Sequence, residues 1–458
     1  MTAKRVLAVV LAALTSALIF AQGAAAAEPG VVPDLTWYTS ESDKQRTADA
    51  LVDVGSKWVR LNIQWAEAEP VNGVYNQWWL DEYAHAIDVA RAANQHVIVM
   101  VDTAPVWASG LQSSNVPQDP RDYADFMGFL ASRLQGKVDA YEVWNEPNLQ
   151  RFWSTGPDPG RYTALLKAAY PAIKAADPAA KVIFGGTSGN DYDFIEGAYA
   201  AGAKGYFDVM ATHPYPYCGS TGPSSIRREG DGRISRDSFL GYREVRATMA
   251  SHGDSKPIWF TEMGWTTSSA GCNPGAGMWQ GGVSEAKQAE YLTEAFQLIE
   301  PDSYVEVALW YDFRNDYWLH DSDTAEARYG LMNTDFSPKP AYAAFKAYAH
   351  GQDSATASQD SIPTATKLAV DPGPQPATYD ASGQVHSADG GAVSLQIERR
   401  GKSRWKRAGK VRVPLDKRNR FARKLKGLPQ GAVRIRATYR GTHGRMDSKS
   451  PYVRLRAG

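Results

Sequence analysis

Two glutamates stand in segments whose residue types suit acid–base chemistry. Glu146 lies in the run Trp-Asn-Glu-Pro-Asn at 144–148, and Glu262 lies in Thr-Glu-Met-Gly-Trp at 261–265. Two carboxyl groups that face one bond can cleave a glycoside, because a protonated one assists the leaving oxygen and an ionised one attacks or activates water. A lone glutamate after a strand more often stabilises a helix N-terminus. Two of them, each among aromatic residues, favour a catalytic pair.

Both glutamates follow β-forming runs that alternate with amphipathic helical segments. Eight such runs precede position 350, at 35–38, 58–63, 97–101, 138–144, 181–184, 207–211, 257–261 and 305–310. Helical periodicity is clearest at 79–94, 123–134, 162–176 and 285–299. This alternation predicts an α/β fold of the (β/α)8 TIM-barrel type. A doubly wound open sheet is the alternative, but no glycine-rich phosphate-binding turn follows the first run.

A barrel would bring the two glutamates together. Glu146 follows the fourth predicted strand and Glu262 the seventh, and the C-terminal ends of barrel strands converge on one face.

The sequence has no His-x-x-x-His or Cys-x-x-Cys spacing and no Gly-x-Ser-x-Gly turn. We therefore expect no metal and no other cofactor.

The motifs around both glutamates resemble those of glycoside hydrolase clan A, in particular family 39-like and family 5-like secreted bacterial glycosidases. The similarity also includes the segments 58–61, 105–108, 140–148, 211–215 and 308–311. It spans residues 57–343 and does not extend into the C-terminal region. The resemblance implies a retaining double displacement, with Glu146 as general acid/base and Glu262 as nucleophile.

The resemblance also implies which residues surround the reacting sugar. Arg60, at the end of the second strand, would keep Glu262 ionised, and Asn145 would bind the 2-hydroxyl of the sugar. His213 and Tyr215 would lie near the nucleophile. Aromatic rings pack well on sugar faces, and the candidate platforms at predicted strand ends are Trp107, Trp265 and Trp310, with Trp310 as the floor of the site.

The N-terminal segment predicts export. Lys4 and Arg5 precede an apolar run at 6–21 and small residues at 23–27, a pattern typical of a signal peptide cleaved after Ala27. Export would let the two cysteines, Cys218 and Cys272, form a disulfide, and two free thiols are the alternative. Because these cysteines fall in the loops after the sixth and seventh strands, a bridge would tether two loops beside the nucleophile.

The C-terminal region differs in composition. Residues 351–366 are rich in Ser, Ala and Thr and predict a linker, and period-two runs within 367–458 predict a small immunoglobulin-like β-sandwich. Residues 351–458 carry 22 Lys and Arg against 8 Asp and Glu, whereas residues 1–350 carry 28 against 42. Arg434, Arg436 and Arg440 would share one face of a strand. Such a face suits an anionic cell-wall polymer, an acidic exopolysaccharide or extracellular nucleic acid, unless its charges only solvate a spacer.

The predicted order is therefore a signal peptide at 1–27, a catalytic barrel at 28–350, a linker at 351–366 and a basic sandwich at 367–458. The expected function is hydrolysis of a poly- or oligosaccharide by a secreted enzyme, held at the cell wall if the basic domain binds there. Two alternatives remain. One is a catalytically silent carbohydrate-binding barrel, and the other is a transglycosylase that uses the same residues.

Overall fold

The computed structural model describes residues 27–36, 39–110, 115–216, 219–269, 281–315, 323–351, 365–373, 377–386, 391–401, 404–417, 419–440, 448–450 and 452–457. The chain separates into two compact units, one up to His350 and one from Gly351. Each unit has its own buried apolar core.

The first unit is built around a closed parallel sheet. Its strands in the described residues are β1 (Glu28–Val31), β2 (Trp58–Gln64), β3 (His96–Asp102), β4 (Ala140–Val143), β5 (Lys181–Phe184), β6 (Thr187–Ser188), β7 (Met210–His213), β8 (Ile258–Met263) and β9 (Val305–Trp310). They pair in the order β5-β4-β3-β2-β1-β9-β8-β7-β6. A parallel bridge between Ile183 and Val209 closes the ring. Since only Gly185 and Gly186 separate β5 from β6, these two form one barrel strand, and the predicted (β/α)8 fold is confirmed.

Helices follow the strands around the outside of the barrel. They are α1 (Glu41–Val54), α2 (Trp65–Ala68), α3 (Gln77–Ala92), α4 (Val106–Ser109), α5 (Pro120–Arg133), α6 (Pro159–Ala176), α7 (Tyr192–Ala200), α8 (Tyr242–Ser251), α9 (Glu285–Ile299) and α10 (Pro340–Ala349), with short 3-10 turns at Phe239–Gly241 and Glu326–Arg328. Local sequence sets their starts: Asp158 accepts hydrogen bonds from the Gly160 and Arg161 amides at 2.8 and 3.0 Å, and Pro159 begins α6. Among the helices described, none is long and apolar enough to cross a membrane.

Two apolar layers stabilise the barrel. One set of strand side chains, which includes Trp58, Ile98 and Leu309, fills the interior. The other set, which includes Val99 and Trp310, packs in the larger core between the sheet and the helices. Because successive side chains of a strand point to opposite faces, neighbouring residues belong to different layers.

The first barrel strand does not lie where the sequence predicts it. Residues 35–36 form no strand, residues 37–38 lie outside the described residues, and the strand that pairs with β2 and β9 is β1. The prediction was wrong because Pro29 and Gly30 rarely favour strands. Packing overrides that preference here, since a Cβ on Gly30 would lie 2.7 Å from the Trp58 Cβ.

The second unit consists of antiparallel β-sheets, as predicted. Its strands in the described residues are β10 (Ala365–Pro372), β11 (Thr378–His386), β12 (Ala392–Arg400), β13 (Trp405–Pro414), β14 (Arg420–Lys426), β15 (Gly431–Tyr439), β16 (Ser448–Lys449) and β17 (Val453–Ala457). One sheet has the order β10-β11-β14, and the other has β13-β12-β15-β16 with β17 paired to β15. Along β15, Val433, Ile435, Ala437 and Tyr439 are fully buried, so the predicted inward face is confirmed.

Candidate active site

Three of the predicted site residues lie at the C-terminal ends of barrel strands: Glu146 follows β4, His213 ends β7 and Glu262 is near the end of β8. The prediction that Arg60 stands at the end of its strand was wrong, because Arg60 is the third of the seven residues of β2, and its long side chain reaches Glu262 from there. None of the four is more than 9% exposed. The barrel therefore brings together residues that are separated by up to 202 positions in the sequence.

Arg60 holds three side chains at once. Its Nε donates to Glu142 Oε2 at 2.6 Å, its Nη1 to Glu262 Oε1 at 2.7 Å and its Nη2 to Asn145 Oδ1 at 2.8 Å. A planar guanidinium with fixed donors is well suited to such a role. Since Asn145 uses its amide oxygen on Arg60, its amide N–H groups are the ones that can serve a ligand.

Glu262 accepts hydrogen bonds on both carboxylate oxygens. Arg60 donates to Oε1, and the hydroxyl of Tyr215 donates to Oε2 at 3.0 Å. Burial raises the pKa of Tyr215 well above its ordinary value, so its hydroxyl remains protonated and acts as a donor. A full positive charge and a hydroxyl donor therefore both face this carboxyl group. The predicted contact between Arg60 and Glu262 is present.

Glu146 occupies a different environment. It is 3% exposed, and its Oε1 lies 2.9 Å from Nδ1 of His213. Burial raises the pKa of Glu146, the hydrogen bond and charge of His213 oppose this effect, and the negative charge of Glu262 adds to it. The net result is a raised pKa, which favours a carboxyl group that keeps its proton.

An unusual backbone conformation positions Glu146. Its φ is 39°, and that of Trp144 is 74°, both in the left-handed region. The backbone N–H of Glu146 donates to the carbonyl of Gly186 at 3.1 Å, beside the break between β5 and β6. Such strain persists only where surrounding contacts maintain it, and it commonly accompanies functional residues.

The two glutamates and His213 are close together. Glu146, His213 and Glu262 each offer one atom within 4.8 Å of those of the other two. Ligand types at this spacing could hold a cation, but Arg60 already supplies a fixed positive charge to Glu262. The same spacing means that one oxygen of each carboxyl group lies within 4.8 Å of the other.

A cavity of about 270 Å³ opens onto both carboxyl groups. The polar residues of its lining include Asn62, Gln64, Asp102 and Asn145, and the aromatic ones are Phe152, Tyr215, Tyr311 and Tyr329. Arg151 and Glu326 also line it and form an ion pair of 2.5 Å at their exposed ends. A small cleft with polar and aromatic walls suits a sugar ring, whose hydroxyls need partners and whose faces are apolar.

The three predicted tryptophan platforms do not line this cavity. Trp265 and Trp310 are fully buried, and Trp107 packs against Trp65, with ring centroids 5.5 Å apart. Trp310 donates its indole N–H to the Tyr329 carbonyl at 3.1 Å, behind the cavity wall. The cause is strand alternation: Leu309 faces the barrel interior, Trp310 faces the helices and Tyr311 faces inward again. Tyr311, which directly follows β9, therefore lines the cavity, and Trp310 does not.

Asp102 is a cavity residue that the sequence analysis did not predict. It ends β3, lines the cavity and is 8% exposed. Burial raises its pKa to about 6, the Thr103 hydroxyl and Arg60 oppose this effect, and the charge of Glu142 adds to it. The rule that identified the two glutamates, a carboxyl group at the end of an apolar strand, would also have identified Asp102.

Two further residues, Glu142 and Thr261, contact the side chains of the site without lining the cavity. Glu142, on β4, is fully buried and accepts from Arg60, from the Gly186 N–H at 2.9 Å and from the Thr261 hydroxyl at 2.9 Å. Thr261 also contacts Nε2 of His213 at 3.0 Å. Neither role can be predicted from the sequence, because a buried acid or threonine within a strand resembles any other strand residue until its partners are known.

The predicted disulfide lies outside the described residues, as do both of its cysteines.

Comparison with known proteins places the chain among the glycoside hydrolases. The sequence model of the cellulase family, glycosyl hydrolase family 5, matches residues 21–297. No curated protein matches the chain. Among solved structures, a family 39 glycoside hydrolase from Bacteroides cellulosilyticus WH2 aligns with a TM-score of 0.57 and 19% identity, over 87% of this chain and 79% of that one.

Two other solved structures have the same fold. A family 39 enzyme from Xanthomonas axonopodis pv. citri has a TM-score of 0.52 and 17% identity, over 86% of this chain and 91% of its own. A monomeric β-xylosidase from Caulobacter crescentus CB15 has a TM-score of 0.52 and 15% identity, over 88% of this chain and 96% of its own. The family match covers more than half of the sequence, and the chain therefore belongs to glycosyl hydrolase family 5, within the TIM-barrel glycosidases of clan A.

Proposed function

We propose that the protein is a secreted retaining glycosidase that acts on a poly- or oligosaccharide. The observation that carries this proposal is that its two carboxyl groups have different hydrogen-bond partners and different surroundings. Arg60 and Tyr215 donate to Glu262, whereas Glu146 is buried against His213 and has a raised pKa. Two acids that differ in this way can act as nucleophile and proton donor at the same pH.

Each step of the reaction then has a defined actor. An oxygen of Glu262 forms a bond to the anomeric carbon while the bond from that carbon to the leaving oxygen breaks, and Glu146 transfers its proton to that oxygen. In the second step water attacks the anomeric carbon, Glu146 accepts the proton of that water, and Glu262 leaves. Asn145 is held by Arg60 with its N–H groups available for the 2-hydroxyl of the sugar.

The spacing of the two carboxyl groups supports retention over inversion. Retaining glycosidases hold their carboxyl groups roughly 5–5.5 Å apart, and inverting ones roughly 6.5–9.5 Å apart to admit a water. Here one oxygen of Glu146 and one of Glu262 lie within 4.8 Å of each other. This short separation favours direct attack by Glu262 over attack by an interposed water.

The proposal is tested by the configuration of the first product. The full-length secreted protein is incubated with a panel of β-glycosides, and the anomeric proton is followed by NMR before mutarotation. Retention requires that the β-anomer forms first, and initial formation of the α-anomer would overturn the mechanism. An added acceptor sugar separates the alternatives: a transglycosylase gives a longer product, and a silent barrel gives none.

We also propose export by the segment 1–27. Its basic start, apolar run and small residues support this assignment. N-terminal sequencing of the protein from the culture medium should begin at Glu28. A chain that stays in the cells with Met1 intact would contradict it.

A second proposal concerns the basic C-terminal unit, which we expect to bind an anionic polysaccharide. On β15, Arg434 stacks between Trp405 and Tyr452, with its guanidinium carbon 4.7 and 4.0 Å from their ring centroids, and Arg436 lies 4.5 Å from the ring of Tyr452. Arg454, on β17, is directly opposite Arg434 in the ladder.

Within the described strands of this sheet, the outward face carries one acidic side chain. Glu398, on β12, pairs with Arg434 at 2.6 Å. The other basic side chains on this face include Arg400, Arg407, Lys410, Arg412, Arg436, Arg454 and Arg456. Guanidinium groups held flat on aromatic rings are well placed to bind carboxylate, sulfate or phosphate groups. Such a surface would hold the enzyme near its polymeric substrate.

A further inference from the structure

The side chain that connects His213 to the rest of the site has a single hydrogen to donate. Thr261 Oγ1 lies 2.9 Å from Glu142 Oε1 on one side and 3.0 Å from His213 Nε2 on the other. A hydroxyl donates one hydrogen bond and can accept others. Only one of the two neighbours can therefore receive the hydrogen of Thr261.

Glu142 is the neighbour that must receive it. Its Oε2 accepts from Arg60 Nε at 2.6 Å, and its Oε1 accepts from the Gly186 N–H at 2.9 Å. The Arg60 guanidinium and the Gly186 amide can only donate, so both oxygens of the fully buried Glu142 are already engaged as acceptors. Thr261 then donates to Glu142, and its oxygen must accept from His213 Nε2–H.

This chain of donors determines which nitrogen of His213 carries a proton. With Nε2 protonated, one further proton is available for the 2.9 Å contact between His213 Nδ1 and Glu146 Oε1. We infer that Glu142 and Thr261 are positioning residues that hold His213 as the Nε2–H form, so that its Nδ1 shares one proton with the Glu146 carboxyl group. The inference rests on the proposed role of Glu146 as acid/base.

The packing around these residues leaves little freedom for another arrangement. A Cβ on Gly186 would lie 2.3 Å from His213 Nε2 and 2.8 Å from Thr261 Oγ1, so glycine is needed for the imidazole and hydroxyl to meet. Besides each other, the charged or titratable groups that interact with Glu146 or His213 include Arg60 from β2, Glu262 from β8, Tyr215 after β7, and Arg151 and Tyr329 from the cavity lining. Arg60 offsets one of the two negative charges of Glu142 and Glu262.

The consequence for catalysis is that Glu146 holds the proton that it must transfer to the leaving group. If His213 carried its proton on Nδ1 instead, it would donate to Glu146 and favour the carboxylate, which cannot protonate a leaving group. When Nδ1 carries no proton, the Glu146 carboxyl group keeps its own proton and donates it in the hydrogen bond to Nδ1. Burial raises the pKa of Glu146, and the acids around His213 raise the pKa of the imidazole despite its burial. Both shifts favour retention of the shared proton in the pair.

The first test observes the tautomer directly. The full-length protein is labelled with ¹⁵N-histidine, long-range ¹H–¹⁵N spectra are recorded at neutral pH, and His213→Asn identifies the signal. The inference predicts a protonated Nε2, whether the ring is neutral or cationic. A bare Nε2 with a protonated Nδ1 would overturn it. This outcome is independent of turnover, so it stands apart from a failure to find glycosidase activity.

The second test removes the hydroxyl. Thr261→Val should lower kcat/KM about 10–100-fold on glycosides with poor leaving groups and only a few-fold on aryl glycosides with acidic leaving groups. The alkaline limb of its pH–rate profile should shift to lower pH. Thr261→Ser keeps the hydroxyl and should restore both. In the spectra, Thr261→Val should move the proton of His213 towards Nδ1.

A matched control separates this role from a structural one. Thr163, on α6, is equally buried and donates its hydroxyl to the Pro159 carbonyl at 2.7 Å, away from the site. Thr163→Val should leave the pH profile and the dependence on the leaving group unchanged. If Thr261→Val lost activity equally on all leaving groups with an unshifted profile, Thr261 would be merely structural. If Thr261→Val does not fold, the Thr261→Ser and wild-type spectra still decide.

Discussion

Nδ1 of His213 lies 2.9 Å from Glu146 Oε1 but 3.8 Å from Glu262 Oε2. The imidazole is therefore hydrogen-bonded to one acid and only near the other. Glu262 has Arg60 as its charged partner, at 2.7 Å. The buried cluster thus divides into an Arg60–Glu262 ion pair and a His213–Glu146 proton-sharing pair. This division leads directly to different expected behaviours for the two glutamate variants.

The Glu262→Ala variant should lose turnover on all glycosides, because no group remains to form the covalent intermediate. Small anions such as azide should restore activity by occupying the vacated space beside Arg60. Mass spectrometry and NMR should identify the rescued product as a glycosyl azide with inverted anomeric configuration. A rescued azide product of retained configuration would instead make Glu262 the acid/base.

The Glu146→Ala variant should lose only the benefit of proton transfer. We expect about a 10²–10⁴-fold fall in kcat/KM on natural glycosides and a much smaller fall on dinitrophenyl glycosides, whose leaving group needs no proton. Steady-state kinetics on the two substrate types, with the Glu146→Gln variant alongside, measure the difference. Equal losses on both types would show that Glu146 is not the acid.

Asp102 should make the stability of the barrel depend on pH. Burial raises the pKa of Asp102 to about 6 from an ordinary value of 3.8, so between these values the folded state binds more protons than the unfolded state. The free energy of unfolding should therefore fall as pH rises from about 4 to about 6. The shift corresponds to about 3 kcal/mol.

The Asp102→Asn variant should remove that effect. In urea titrations at pH 8, its free energy of unfolding should exceed that of the wild type by up to about 3 kcal/mol, and at pH 4 the two should be similar. Asp49→Asn on α1, which removes an exposed carboxyl group, is the control and should change stability by no more than about 0.5 kcal/mol at either pH. A variant that is less stable than wild type at pH 8 would contradict the prediction.

The cysteines should be linked if the protein is exported. Peptide mass analysis of the secreted protein without reduction should find Cys218 joined to Cys272, because two thiols in an oxidising compartment with no other partner in the sequence tend to pair. Alkylation of both thiols in the native, unreduced protein would exclude the bridge.

Some features of the site can be predicted from the sequence and others cannot, for physical reasons. Glu146 and Glu262 are predictable because both follow apolar strands, and barrel topology alone brings strand ends together. Trp310 and Tyr311 are adjacent, and which of them faces the cavity depends on the alternation phase of β9. That phase can be inferred only once the residues that fill the barrel interior are known.

The contacts of Glu142 are still less accessible to sequence reasoning. Its three donors come from β2, from the break after β5 and from β8. No local sequence pattern indicates that donors from three separate segments contact one carboxyl group. The first strand is a related case, because Pro29 and Gly30 form β1 only through close packing against β2 and β9.

The basic face of the C-terminal unit should retain the full-length protein on anionic polysaccharide. In a pull-down at low ionic strength, the wild type should bind insoluble polygalacturonate and not neutral cellulose, and binding should fall steeply above about 0.15 M salt because exposed charges are screened. Arg454→Ser with Arg456→Ser removes two exposed charges from this face.

The matched control removes two charges from the other sheet. Lys424→Ser with Lys426→Ser lies on β14, which belongs to the β10-β11-β14 sheet, and both side chains are exposed. If the face defined by Arg434, Arg454 and their neighbours is the binding surface, the arginine variant should lose at least several-fold more affinity than the lysine variant. Equal losses would indicate a general effect of net charge, and no binding by the wild type at low salt would leave the unit a spacer. Because the altered arginines are on the C-terminal unit and none is a site residue, turnover of a small soluble glycoside should be the same in all three proteins, which separates retention from catalysis.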